Sequence, residues 1–234
     1  MTDKNIQLTS TISEDNKLTL ALKNIEMPKP NADEVVIRIE AAPLNPSDLG
    51  VLFSAADMST AKQSGTDENP VITADVPAQF MPSLKTRVGK ATPVGNEGAG
   101  TVVAAGSSPA AQALMGKTVA VIGGGTYRQF ICANVQSCLE LKEGTTAKEG
   151  ASSFVNPLTA LAMVETMRAE GHKAIIHAAA ASNLGQMLNR ICIADGVDLI
   201  NIVRKPEQEK LLRDMGAKYI VNSSSDTFLA DLTA

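Results

Sequence analysis

From Asn156 to Ala234 short apolar runs alternate with helical stripes, and this alternation limits the chain more than any other feature. "KAIIHA", "VDLINIV" and "KYIVN" are strand-like. Between them Leu184, Met187, Leu188 and Ile191, then Gln208, Leu211, Leu212 and Met215, repeat at i, i+3, i+4, i+7. Asn156 is placed to cap an earlier helix, with Pro157 at its first position and Ala160, Met163, Val164 and Met167 as its apolar stripe. Gly171 and Gly216 punctuate the ends, and "DTFLADL" opens one more helix. Strands separated by helices at short spacing predict a parallel α/β unit. A doubly wound domain has two such halves, and only the first is visible. The expectation is an incomplete domain in a truncated chain, short by roughly a hundred residues.

The residues before this read differently. "LTLAL", "EVVIRIEAA", "GAGTVVAAG" and "KTVAVIGG" are short strands bounded by turn residues. In the second, Val35, Ile37, Ile39 and Ala41 fall on one face. Such a series predicts a partly open β-barrel over residues 1–150, followed by the α/β unit over 151–234. Residues 53–93 are polar and lack a clear period. They are expected to be a long insertion, either a mobile surface loop or a lid or contact segment.

Composition narrows the function. The net charge of −4 and the lack of a basic stripe disfavour nucleic acid as a partner. No apolar run approaches the ~18 residues of a membrane span, and the N-terminus lacks the core of a signal peptide. Three cysteines, Cys132, Cys138 and Cys192, form no CxxC pair, which favours a reduced, cytoplasmic protein. With only two histidines, no four-ligand zinc site can be assembled.

The turn in "AIIHAAAASNLGQMLNRI" is the candidate binding element. A pyrophosphate needs bare N–H groups at a helix N-terminus. Most positions where glycine would ease that approach are alanine, tolerable where φ stays negative, and only Gly185 remains. The candidate contacts are Ala180, Ala181, Ser182, Asn183, Leu184 and Gly185, although an ordinary βα turn would read much the same. An NAD-binding unit places an acid at the end of its second strand to hold the ribose hydroxyls. Here Arg204 and Lys205 stand there, and two cations suit a 2′-phosphate and hence NADPH. The glycine run in "VIGGGTYRQF" lacks the third spaced glycine and precedes strand rather than helix, so it reads as a barrel turn.

"EAAPLNPSDLG", "GNEGAGTVVAAG", "GTYRQF", "FVNPLTALAM" and the "VRK" unit occur in this order. Together they resemble the medium-chain dehydrogenase/reductase superfamily, in its zinc-lacking branch of quinone oxidoreductases and enoyl thioester reductases. The resemblance implies a GroES-like barrel and a Rossmann-type NADPH domain. It also implies a homodimer in the full-length form and a small-molecule quinone or enone as substrate. Zinc-bearing members carry cysteine and histidine where Asn45 and Asn96 stand, so no catalytic metal is expected. Asn45 and Tyr127 are the implied hydrogen-bond donors to the substrate oxygen. Thr159, with Asn156 nearby, matches the nicotinamide end. Enoyl thioester reductases usually carry a tyrosine shortly after "NPSD"; "LGVLFSAADM" has none, which favours quinone or enone reduction. Enoyl thioester reduction, an inactive fragment, and an interaction module built on residues 53–93 remain alternatives.

Overall fold

In the computed structural model, which describes residues 4–233, the chain divides after Ser152 into two units. The described residues of the first form ten strands and four short α-helices. In chain order these are β1 (Asn5–Ile12), β2 (Lys17–Ile25), β3 (Glu34–Ala41), α1 (Pro46–Leu52), β4 (Asp57–Gly65), β5 (Pro70–Asp75) and α2 (Met81–Leu84). Then follow β6 (Thr92–Pro93), β7 (Glu97–Ala105), α3 (Pro109–Ala113), β8 (Thr118–Ile122), β9 (Phe130–Asn134), β10 (Cys138–Glu140) and α4 (Ala147–Gly150).

Two antiparallel sheets result, ordered β4-β5-β2-β1-β6 and β10-β8-β7-β3-β9. They are stitched where β1 meets the chain entering β9. The Leu8 N–H donates to the Tyr127 carbonyl, and the Asn5 side chain exchanges hydrogen bonds with the backbone of Phe130. This is a partly open barrel. Val35, Ile37, Val102, Val119 and Val121 fill one side of it, each at 1% exposure or less. Each such side chain contributes about 1.5–3 kcal/mol on burial. Gly100 lets β7 approach β3, since a Cβ there would sit 1.9 Å from the Arg38 carbonyl oxygen.

Residues 53–93 are not a structureless insertion. They supply β4 and β5, which extend the first sheet outward from β2. Ala74 and Val76 are buried with Ile12 and Leu18, and Phe53, Met58, Ile72 and Leu84 pack around them. The polar reading failed because β4 is an edge strand, and Lys62, Gln63 and Ser64 all face solvent. The three-glycine run does form the turn after β8, but strand resumes only at Phe130, leaving Tyr127 in a bend.

The second unit holds α5 (Val155–Ala169), β11 (Ala174–Ala178), α6 (Asn183–Asp195), β12 (Asp198–Val203), α7 (Pro206–Asp214), β13 (Tyr219–Asn222) and α8 (Phe228–Thr233). The strands form a parallel sheet in the order β11-β12-β13. Ala160, Val164, Leu188, Cys192 and Leu199 are its main core. No helix among the described residues is long and apolar enough to cross a membrane.

Two sequence expectations shift here. Asn156 does not cap α5, because the helix already includes Val155. Pro157 is then its third residue, still within the turn whose N–H groups lack helical partners. The buried face of α6 is Gly185, Leu188, Asn189 and Cys192, rotated from the expected stripe. Met187 and Ile191 lie at its margin.

Candidate functional site

The turn from β11 to α6 opens directly into a side-chain-capped helix. Ser182 is the N-cap, and its Oγ accepts the Gly185 N–H at 3.1 Å. The N–H groups of Asn183 and Leu184 occupy the first turn, where an α-helix offers no internal partner. Gly185 is required for a steric reason: a Cβ there would lie 2.2 Å from the carbonyl oxygen of Ala180. The helix therefore starts hard against the turn.

Not every alanine behaves as expected. Ala179 takes φ +55°, although alanine was expected to serve only where φ stays negative. Ala180 is fully buried beside Val203 and Leu212, and its N–H donates to the Ile202 carbonyl. Its methyl belongs to the core and its amide to the sheet. The Ser182 N–H is likewise taken, by the Ala179 carbonyl.

A crevice of about 410 Å³ opens at this turn, within the second unit. Ala179, Ala181, Ser182, Arg204, Gln208 and Ser223 line it. The turn, the end of β12 and the residue after β13 thus meet at one place. Arg204 makes no ion pair among the described residues, while its backbone N–H donates to Gln208 Oε1. Lys205 does not line the crevice; it is the N-cap residue ahead of α7, exposed, 3.9 Å from Glu207. Asn183 and Leu184 flank the crevice without lining it. Ser223 and Gln208 were missed by sequence reasoning. Ser223 could have been found as a hydroxyl directly following the third strand.

Thr159 and Asn156 are not brought to this crevice. Thr159 donates to the Val155 carbonyl at 2.6 Å and lines a separate hollow of about 450 Å³ between α5 and β11. Met163, Thr166 and His177 share that hollow. Burial holds the His177 imidazole below its ordinary pKa, and its buried Nε2 has no hydrogen-bond partner among the described residues.

In the first unit, Asn45 and Tyr127 do come together, around two buried carboxyls. Asn45 precedes α1, and its backbone N–H donates to Asp48 Oδ2 at 2.7 Å. Its side-chain amide donates to Glu97 Oε1 at 2.9 Å. Asp48 and Glu97 are 1% and 0% exposed. The Tyr127 hydroxyl donates to the Pro43 carbonyl at 2.8 Å. Burial, and then the neighbouring Asp48 carboxyl, push that phenol well above its usual range. Asn96 spends its amide on the Ser47 hydroxyl. At Asn45 and Asn96, then, the amide nitrogens donate protons, and the lone pairs that remain are on hard amide oxygens rather than on the thiolate or imidazole that zinc prefers.

No family model matches the chain. The mitochondrial enoyl-[acyl-carrier-protein] reductase of Mus musculus is 29% identical over 206 residues, covering 86% of this chain and 48% of the relative. Among solved structures, a Mesorhizobium loti protein assigned as an NADPH:quinone reductase superposes with a TM-score of 0.71 at 27% identity. That match covers 99% of this chain and 64% of the other. A mycobacterial protein solved in complex with NADPH matches with a TM-score of 0.62 at 21% identity, over 97% of this chain and 59% of its own. The chain spans about half the length of the curated relatives it matches.

Proposed function

We infer, from its kinship with the quinone oxidoreductases and enoyl reductases of the medium-chain dehydrogenase/reductase superfamily, that this chain binds NADPH and serves hydride transfer to a quinone or activated alkene. The observation that carries the reading is the crevice itself. The Ser182 hydroxyl at the start of α6 and the Arg204 side chain, which makes no ion pair among the described residues, line a space of about 410 Å³; the Ser223 hydroxyl also lines it but donates to the Val203 carbonyl. That donor set fits a dinucleotide: the start of α6 and Ser182 for the pyrophosphate, Arg204 for the 2′-phosphate. Lys205 contributes long-range charge rather than contact.

NADPH, when bound, supplies the hydride. The protein's task is then to hold the acceptor and to stabilise charge on its oxygen. In a quinone or an α,β-unsaturated carbonyl, attack at carbon moves an electron pair onto that oxygen. Asn45 keeps one amide proton beyond the one given to Glu97, and we assign it to this oxygen. The phenol of Tyr127 keeps its proton at working pH. We assign it as the second donor, by exchange of its Pro43 carbonyl partner for the substrate oxygen. The chemistry is read as zinc-independent because of the amides at Asn45 and Asn96. All three cysteines are free, in keeping with a reduced compartment such as the cytoplasm. The mitochondrial location in the relatives' names belongs to those proteins. A homodimer is retained as the proposed assembly.

One observation favours a second reading. The curated relatives are enoyl-[acyl-carrier-protein] reductases, which supports an enoyl thioester as acceptor. Two measurements separate the possibilities. Fluorescence titration should show NADPH binding more tightly than NADH. Arg204→Glu should cost about tenfold or more in NADPH affinity, at least ~1.4 kcal/mol, and reverse the preference. Unmoved selectivity would remove the phosphate assignment. NADPH oxidation with a quinone, an enone and an enoyl thioester in parallel then fixes the acceptor, and binding without turnover on any of them would leave a nucleotide-binding fragment.

A further inference from the structure

Behind the crevice lie two buried amides that no step above uses. Asn189 on α6 and Asn201 on β12 are 1% and 0% exposed. They bond reciprocally: Asn189 Nδ2 donates to Asn201 Oδ1 at 2.6 Å, and Asn201 Nδ2 donates to Asn189 Oδ1 at 3.1 Å. The second proton of Asn189 goes to the Gly185 carbonyl at 3.0 Å. Asn201 Nδ2 also lies within 3.2 Å of the carbonyls of Leu199 and Tyr219, the latter on β13. One pair of side chains therefore ties the first turn of α6 to two strands.

Helix and sheet could have met here through leucines, as they do at Leu188 and Leu199. Buried amides gain little net stability over apolar side chains of similar volume. What they add is direction: a helix sliding or turning on the sheet would orphan both amides at once, at about 1–3 kcal/mol each. Gly185 is the residue they hold. Its N–H is taken by Ser182, and its Cα lies against Ala180 with no room for a Cβ. A turn pressed this closely has no slack, so the height of α6 on the sheet sets where its N–H groups point.

We propose that Asn189 and Asn201 are positioning residues that fix the turn over residues 179–185 for the phosphates of its ligand. The ligand's identity rests on the NADPH reading above; the fixing of the turn does not.

The test is the double variant Asn189→Leu/Asn201→Leu, which removes both amides together, so that neither is left buried without the other. Asn189→Leu alone serves as its destabilised control. Thermal melting, NADPH titration and the backbone amide NMR signals of Ser182 and Gly185 are read on each. The expected result is a double variant that melts within a few degrees of the natural protein yet binds NADPH about tenfold more weakly. Its NADPH-over-NADH preference should be unchanged, because Arg204 is untouched, and the Ser182 and Gly185 signals should shift. A folded double variant that binds NADPH as tightly as the natural protein overturns the proposal. If the natural protein binds no nicotinamide nucleotide, the cofactor reading fails separately. The amide signals then decide: a shift in the double variant upholds the positioning role, and unchanged signals end it. Should the double variant not fold, Asn189→Gln and Asn201→Gln, which keep the amide chemistry at a displaced position, take its place and are judged on the same readouts.

Discussion

Ala179 is held at φ +55°, where a Cβ costs about 1–2 kcal/mol against a right-handed conformation. Nothing in its own side chain offsets that cost, so the cost is borne by the elements on either side of it. Ala179→Gly should therefore stabilise the protein by about 0.5–1 kcal/mol, after allowing for the greater freedom of glycine in the unfolded chain. The midpoint of urea unfolding checks this, and a fall in the midpoint would show that the alanine is unstrained. At this scale the sequence was partly legible. Gly185 and Arg204 could be picked out because one position admits only hydrogen and the other puts charge at a strand end. Ala180 could not, because four consecutive alanines look alike until the fold turns one inward.

β5 is paired on both sides, with β2 and with β4, although its surroundings read as loop. Its amides should exchange slowly. Hydrogen exchange followed by mass spectrometry or NMR should protect Val71, Ile72 and Thr73 far beyond the turn at residues 66–69. Exchange at loop rates would mean that no stable ladder forms there. β1 escaped notice for a related reason. Its buried positions include Asn5, Gln7, Thr9 and Ser10, so no apolar alternation marks it. These groups are satisfied by partners distant in sequence: Asn5 by Phe130 and Ser10 by the Leu52 carbonyl. By contrast, the helices and strands after residue 153 announce themselves, because each buries its apolar face against near neighbours in the chain.

The two units have separate cores. Val35, Ile37, Val119 and Val121 form one, Ile12, Leu18 and Ala74 another, both within the first 152 residues. Ala160, Leu188 and Leu199 belong to the second unit. A unit with its own core should fold by itself. Residues 1–152 alone should give a cooperative thermal transition in the far ultraviolet, and a broad, gradual loss of signal would show that its core depends on the rest of the chain. At this scale the sequence by itself determined the barrel-then-α/β order and the place of the turn before α6, because hydrophobic period and turn chemistry are local properties. Only the tertiary structure decided that residues 53–93 are sheet, that Arg204 rather than Lys205 reaches the crevice, and that Asn189 meets Asn201. Those outcomes depend on which strands pair and how a helix is rotated on its sheet, and that is set by contacts between residues far apart in the chain.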